Sequence, residues 1–243
     1  YMKISPITDN TRTFRANRRI ITNREGKLLY RTTTYFLRED LNWERFANFL
    51  KNKYQSASKV NVINHACSSG HEPYSLALKL MIKFGVEAKK FFPINARDID
   101  FDNIECARRG ELGINDKEMY SINYCTRDNI YEFFDFAKAK NPQDDITLIP
   151  KPKLKEKVVF TQADILKDTT QKLPDNTVFM CRNIWPYLSD NNRTKLADSL
   201  AQNLGKNSLV VIGDFDIRNC NTDVILYIRG FRESGMFNVF EKP

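Results

Sequence analysis

Short apolar runs alternate along the chain with stretches of helical periodicity. Lys59-Val60-Asn61-Val62-Ile63-Asn64 is β-branched and apolar enough for a strand, and Tyr74, Ala77, Leu78, Met81 and Ile82 then recur at helical spacing on one face. Between them, His65 to Ala77 opens with a small-residue turn and continues into a helix start, for which Pro73 suits the first turn. The segment from Lys89 to Asp100, with Phe91-Phe92-Pro93-Ile94-Asn95-Ala96, reads as a second strand; Asp102 is placed to cap the next helix and Gly110 to close it. Lys157 to Phe160, Thr177 to Cys181 and Ser208 to Ile212 read as further strands, the second of these being continuously apolar as in a parallel sheet buried on both faces. A helix from near Ser189 carries Leu196, Leu200 and Leu204 on one stripe and is stopped by Gly205. Val224 to Ile228 predicts a helix or strand, and Gly235 to Phe240 a terminal strand.

This alternation predicts an α/β fold, a Rossmann-like, doubly wound and mostly parallel sheet with helices on both faces. The charged section at about 111–156, with Tyr131-Glu132-Phe133-Phe134-Asp135-Phe136 and the Pro150-Lys151-Pro152 turn, breaks the rhythm and reads as a small insertion whose phenylalanines form its core. Residues 1–31 read as a basic N-terminal extension, and 32–243 as the domain itself.

The 243 residues suffice for one large domain. The net charge of +8 suits an acidic partner, yet no nucleic-acid-binding module is recognisable. Five scattered cysteines, no Cys-x-x-Cys pair and two histidines suggest neither a zinc site nor a disulfide framework, so no metal is expected. With no apolar span or secretory signal, a cytoplasmic location is expected. Cys67 and Cys181 read as small buried hydrophobes, His65 as a packing residue or backbone partner, and His71 as an exposed residue at a helix N-terminus.

Ligands in open α/β sheets sit outside the carboxyl ends of the strands, which here carry Ala66-Cys67-Ser68-Ser69-Gly70, Asp98, Asp164 and Arg182-Asn183. Small residues in the first turn let backbone N–H groups approach a ligand, and an acid such as Asp98 can accept from ribose hydroxyls. The turn has neither a Gly-x-Gly-x-x-Gly pattern nor a phosphate-binding lysine, so a cofactor without phosphate suits it better. S-adenosylmethionine is one, and Glu72 can meet its ammonium group.

Four ordered motifs sharpen the reading: Thr34-Tyr35-Phe36-Leu37-Arg38-Glu39, Ala66-Cys67-Ser68-Ser69-Gly70-His71-Glu72-Pro73-Tyr74-Ser75, Asp98-Ile99-Asp100 and Cys181-Arg182-Asn183-Ile184-Trp185-Pro186-Tyr187. Over about Thr32 to Asp216 the chain resembles the bacterial chemotaxis receptor methyltransferases, the CheR family. The resemblance implies a class I methyltransferase fold, S-adenosylmethionine as cofactor with S-adenosylhomocysteine as product, and transfer to glutamates of an acidic protein such as a chemoreceptor cytoplasmic domain. It implies further that Arg38 and Tyr187 lie beside the transferred methyl and that Ala66, Ser68, Gly70, Glu72, Asp98 and Asn183 hold the cofactor. Asp164 and Ile165 would flank the adenine, and Arg182 would serve the methionine end or the substrate. Residues 1–31 would be a remnant of the family's helical domain. His71 replaces an acid of the family pattern, Pro186 precedes Tyr187 where Ile is usual, Gly213-Asp214-Phe215-Asp216 replaces Gly-His-Ser-Glu, and Asp164 stands where Asn is common. A different methyl acceptor, or a cofactor-binding regulatory protein without turnover, are the alternatives.

Overall fold

The computed structural model describes residues 34–140, 142 and 144–242. The basic segment 1–31 lies outside these described residues. Helix α1 (Trp43–Lys53) precedes strand β1 (Asn61–His65), helix α2 (His71–Phe84), strand β2 (Ile94–Asp98) and helix α3 (Phe101–Arg109). The insertion follows as β3 (Leu112–Ile114), α4 (Asp116–Thr126), β4 (Phe134–Lys138), β5 (Ile146–Pro150) and α5 (Pro152–Lys155). The chain then resumes with β6 (Val158–Gln162), α6 (Ile165–Asp168), β7 (Thr177–Met180), α7 (Asp190–Asn203), β8 (Leu209–Val211), α8 (Asp214–Cys220), α9 (Thr222–Ile228), β9 (Arg232–Glu233) and β10 (Val239–Glu241).

The main sheet runs β6-β2-β1-β7-β8-β10-β9. β6, β2, β1, β7 and β8 are parallel, and β10 is antiparallel to both β8 and β9. Strand order reverses between β1 and β7, which places a crevice outside their carboxyl ends. Alternation within the central strands feeds two cores. Val62, Val178, Met180, Leu209 and Val211 face α1, α2 and α3, whereas Ile63, Phe179, Val210 and Ile212 face α7 and α9. At β2 and β6 only one face is apolar, with Ile94, Ala96, Val158 and Phe160 inside and Val159 47% exposed.

Several boundaries differ from expectation. Lys89 to Phe91 belong to a 3-10 turn (Gly85–Phe91), because Pro93 offers no N–H to the ladder and pairing starts at Ile94. Asp100, rather than Asp102, caps α3, its carboxylate accepting from the Asp102 and Asn103 N–H groups. Gly110 closes α3 in the left-handed conformation and α7 starts beside Ser189, as the sequence predicts, with the Ser189 side chain as its cap. On α2, Tyr74, Ala77 and Leu78 are buried as expected, whereas Ile82 is half-exposed and Ser75 and Leu76 are buried. Val224 to Ile228 is helical, and the tail forms the β9–β10 hairpin.

The insertion is a three-stranded antiparallel sheet, β3-β5-β4, with α4 beside it. Its Leu112, Ile114, Phe133, Phe134 and Leu148 join the core facing α2 instead of forming one of their own. Phe134 meets Phe36 edge-on at 5.6 Å. Replacing Phe134 with Ala should therefore destabilise the whole domain by about 3 kcal/mol or more in urea unfolding, within one transition. A separate early transition with an unshifted main one would show that the insertion folds independently.

Candidate active site at the carboxyl ends of the strands

A cleft of about 1700 Å³ opens at the carboxyl ends of β1, β2, β6 and β7. Arg38, Ala66, Ser68, Glu72, Asp98, Asp164, Ile165, Arg182, Asn183 and Tyr187 all line it. Gly70 does not; it shapes the turn from behind. Its φ of +95° is left-handed, and an added Cβ would press on the Phe160 ring at 3.1 Å.

The turn after β1 is strained, with Ala66 at φ +56° and Ser68 at φ +48°. Asp98 holds it, accepting from the Ser68 N–H at 2.8 Å and from the Asp100 N–H at 2.9 Å. Burial raises the Asp98 carboxyl above its ordinary pKa, against the opposing pull of these N–H groups. Asp164 caps α6 by accepting from the Leu166 N–H, which leaves Ile165 packed at the cleft wall.

Arg182 follows β7 with its guanidinium fully enclosed. Nη1 donates to Glu72 Oε2 at 2.5 Å, Nη2 donates to Asp40 Oδ1, and the cation lies 5.5 Å from the Trp43 ring. Asn64 Nδ2 donates to the other Glu72 oxygen at 2.7 Å. Arg182 Nε and Asn64 Oδ1 are buried without a hydrogen-bond partner among the described residues. Asn183, at φ +59°, donates from Nδ2 to Asp40 Oδ2 at 3.2 Å.

Asp216 sits beneath this loop, fully buried, and accepts from the N–H groups of Asn183, Trp185 and Gly213 at 2.6, 3.0 and 2.7 Å. Burial pushes its carboxyl up to about 7 despite those donors. A Cβ at Gly213 would strike the Asn183 side-chain amide, which would have to move to admit it. Tyr187 ends the 3-10 turn Trp185–Tyr187, its ring 6.2 Å from that of Phe215.

Arg38 is held through its neighbours. The Phe36 N–H donates to Glu118 Oε1 at 2.6 Å, and Leu37, at φ +49°, donates to Ser75 Oγ at 2.8 Å. Trp43 Nε1 donates to the Arg38 carbonyl at 2.9 Å, and the Arg38 guanidinium lies 5.4 Å from the Tyr35 ring.

His71 corrects the expectation of exposure: it is 5% exposed, with Nε2 2.9 Å from the Gly113 carbonyl and Nδ1 3.1 Å from Ser69 Oγ. The insertion covers it. His65 packs on Phe179 as expected but also stands 3.1 Å from Asp168, which Arg97 bonds at 2.9 Å. Burial lowers the His65 pKa, and the bond to His65 lowers that of Asp168. Cys67 and Cys181 are buried with raised thiol pKa values, as inert small hydrophobes should be. Asp40, Asn64 and Glu118 escape a sequence reading because each acts through a partner that only the fold brings near, whereas Asp216 falls in the Gly213-Asp214-Phe215-Asp216 stretch that departs from the family pattern.

The donor set suits S-adenosylmethionine. The carboxylates of Asp98 and Glu72 both line the cleft, the first able to accept from hydroxyl groups and the second to meet an ammonium group, while Asn64 and the enclosed Arg182 guanidinium hold Glu72 from behind. Among the described residues there is no group of three or more His, Cys, Asp and Glu residues that could hold a metal, and no helix is long and apolar enough to cross a membrane.

Comparison with known proteins agrees with the sequence resemblance. The family model described as CheR methyltransferase, SAM binding domain, matches residues 32–226. A chemotaxis protein methyltransferase 2 of Vibrio cholerae is 24% identical over 207 residues, covering 83% of this chain and 67% of its own length. A chemotaxis protein methyltransferase of Borreliella burgdorferi is 27% identical over 195 residues, covering 74% of this chain and 62% of its own. The chain thus spans about two thirds of the length of these relatives. Among solved structures, a TehB-like SAM-dependent methyltransferase from Corynebacterium glutamicum matches with a TM-score of 0.44 at 12% identity, covering 81% of this chain and 87% of the other.

Burial holds His71 at a pKa of about 4. Its folded pKa lies below that of the unfolded chain, so the unfolded state binds more protons between about 6.5 and 4. This stabilising contribution is complete above about pH 6.5 and is lost as pH falls toward 4. Thermal denaturation should show the parent losing up to about 3 kcal/mol more than His71→Gln over that range; parallel curves would contradict it.

Proposed function

The chain belongs to the CheR methyltransferase family, and we propose on that premise that it is an S-adenosylmethionine-dependent methyltransferase forming methyl esters on glutamates of chemoreceptor cytoplasmic domains. The observation that carries the reading is the convergence of Arg38, Tyr187, Asp98, Glu72 and Arg182 on one cleft at the switch point of the sheet. A cytoplasmic location follows from such a substrate.

When bound, S-adenosylmethionine supplies an electrophilic methyl on a sulfonium. The chain's own residues bind, orient and exclude water. Asp98 accepts from ribose hydroxyls, the backbone at Ala66 and Ser68 supports the nucleoside, and Asp164 with Ile165 flanks the adenine. Glu72 meets the ammonium group and Arg182 the carboxylate, both held rigid by Asn64 and Asp40 before the ligand arrives. Asn183 keeps the loop that carries Tyr187 in place.

The acceptor carboxylate is ionised at neutral pH, so no general base is needed. Arg38 and Tyr187 donate to it and hold its oxygen about 3 to 3.5 Å from the methyl carbon, which makes alignment the main source of rate. At the cleft rim the exposed Lys117 and Arg218 are paired with Glu39 and Asp214.

Calorimetry with S-adenosylmethionine and S-adenosylhomocysteine, followed by labelled methyl transfer to a receptor cytoplasmic fragment, tests the proposal. Binding, and label released as methanol by alkali, are expected; no binding of either compound would refute it, and alkali-stable label would point to another acceptor. Arg38→Ala and Tyr187→Phe should lower kcat by about 100-fold while changing cofactor affinity less than about threefold, whereas Asp98→Asn should weaken binding by about tenfold or more. Equal losses of rate and affinity at Arg38 and Tyr187 would overturn their assignment.

A further inference from the structure

We propose that His71 is a positioning residue whose imidazole straps the insertion onto the first turn of α2, so that the insertion fixes the backbone beside Arg38. The contacts form a closed circuit. His71 Nε2 reaches the Gly113 carbonyl of β3, an edge strand of the insertion sheet. From the insertion, Glu118 on α4 reaches back to accept from the Phe36 N–H. The next residue returns to α2, where the Leu37 N–H donates to Ser75 Oγ and that hydroxyl donates to the His71 carbonyl at 2.7 Å.

The chemistry of the ring explains why histidine serves here. A carbonyl only accepts, so Nε2 carries the proton; Nδ1 is then the acceptor, and the Ser69 hydroxyl donates to it. One neutral side chain thereby joins the cofactor turn, through Ser69, to the insertion, through Gly113. A carboxylate would present only acceptors to that carbonyl. Leu37 holds a left-handed φ of +49°, a conformation that persists only while its surroundings enforce it, and Arg38 is the next residue. Loosening the insertion therefore releases the backbone that aims the Arg38 guanidinium, while Asp98, Glu72 and Arg182 keep their own partners.

Two substitutions separate the contacts. In H71N the amide overlaps the Nδ1 position and cannot span to Gly113, whereas in H71Q an amide N–H reaches the Nε2 position. Amide hydrogen exchange is read at Phe36 and Leu37, whose N–H groups end on Glu118 and Ser75. H71N should speed exchange at both amides, and at Leu112 to Ile114, by about tenfold or more, with H71Q within about threefold of the parent. The kinetic arm rests on the methyl-transfer reading: H71N should lose about tenfold in kcat with affinity for S-adenosylhomocysteine little changed, and H71Q should restore it. Unchanged exchange at Phe36 and Leu37 in folded H71N overturns the proposal. Should H71N fail to fold, E118Q, which weakens the other arm, must speed the same two amides, and no change there overturns it equally. A parent that binds no S-adenosylhomocysteine refutes the functional reading alone, because the exchange comparison needs no ligand.

Discussion

The enclosed guanidinium of Arg182 is the constraint on which the rest of the site depends. A buried cation is tolerated only when its charge and donors are met, and here two carboxylates meet it, Glu72 from the first turn of α2 and Asp40 from the segment after Arg38. Glu72 and Asp40 lie 110 and 142 positions from Arg182, so the ion cluster ties the first turn of α2 and the segment after Arg38 to the carboxyl end of β7. Removing either acid would leave charge uncompensated inside the protein, at a cost of about 3 to 5 kcal/mol. Asn64 and Asn183 complete the cluster from neighbouring strand ends. In the proposed complex a ligand's ammonium group meets a Glu72 carboxylate that Asn64 and Arg182 already hold in place, which lowers the ordering cost of binding.

Around that cluster the loops are held by backbone donors ending on buried acids. Asp98 takes the Ser68 N–H, Asp216 takes those of Asn183, Trp185 and Gly213, and Glu118 takes that of Phe36. Each acid sits beneath a residue with positive φ or directly beside one, so strain in the loops is balanced by charge-assisted hydrogen bonds. The insertion belongs to this scheme. By sharing the α2-facing core and by contacting both the cofactor turn and the Arg38 segment, it acts as part of the site's scaffold.

Much of this was legible in the residues, for identifiable reasons. Thr177 to Cys181 is continuously apolar because its strand is covered on both faces, and the small residues after His65 announce a turn that must leave space outside the sheet. Strand ends then supply the polar groups, which is why Asp98, Asp164 and Arg182 stand out. Long-range pairing was not legible. Nothing near His71 signals that a carbonyl 42 residues away will cover it, and Asp40 reads as surface charge until Arg182 is placed against it. The start of β2 was misplaced because apolar Phe91 and Phe92 resemble strand residues, while Pro93 delays the ladder. Asp100 and Asp102 are both good caps locally; the direction in which the chain leaves β2 decides between them.

On the proposed function, the Arg182 cluster is a preformed seat for the amino-acid end of the cofactor, with Asp98 taking its ribose. A crystal structure with S-adenosylhomocysteine tests it most directly. The account predicts density in the cleft with ribose oxygens on Asp98, the ligand's amino-acid end beside Glu72 and Arg182, and the Arg182–Asp40 and Arg182–Glu72 pairs retained. A ligand bound elsewhere, or one whose amino-acid end displaces Arg182 from both acids, would contradict it.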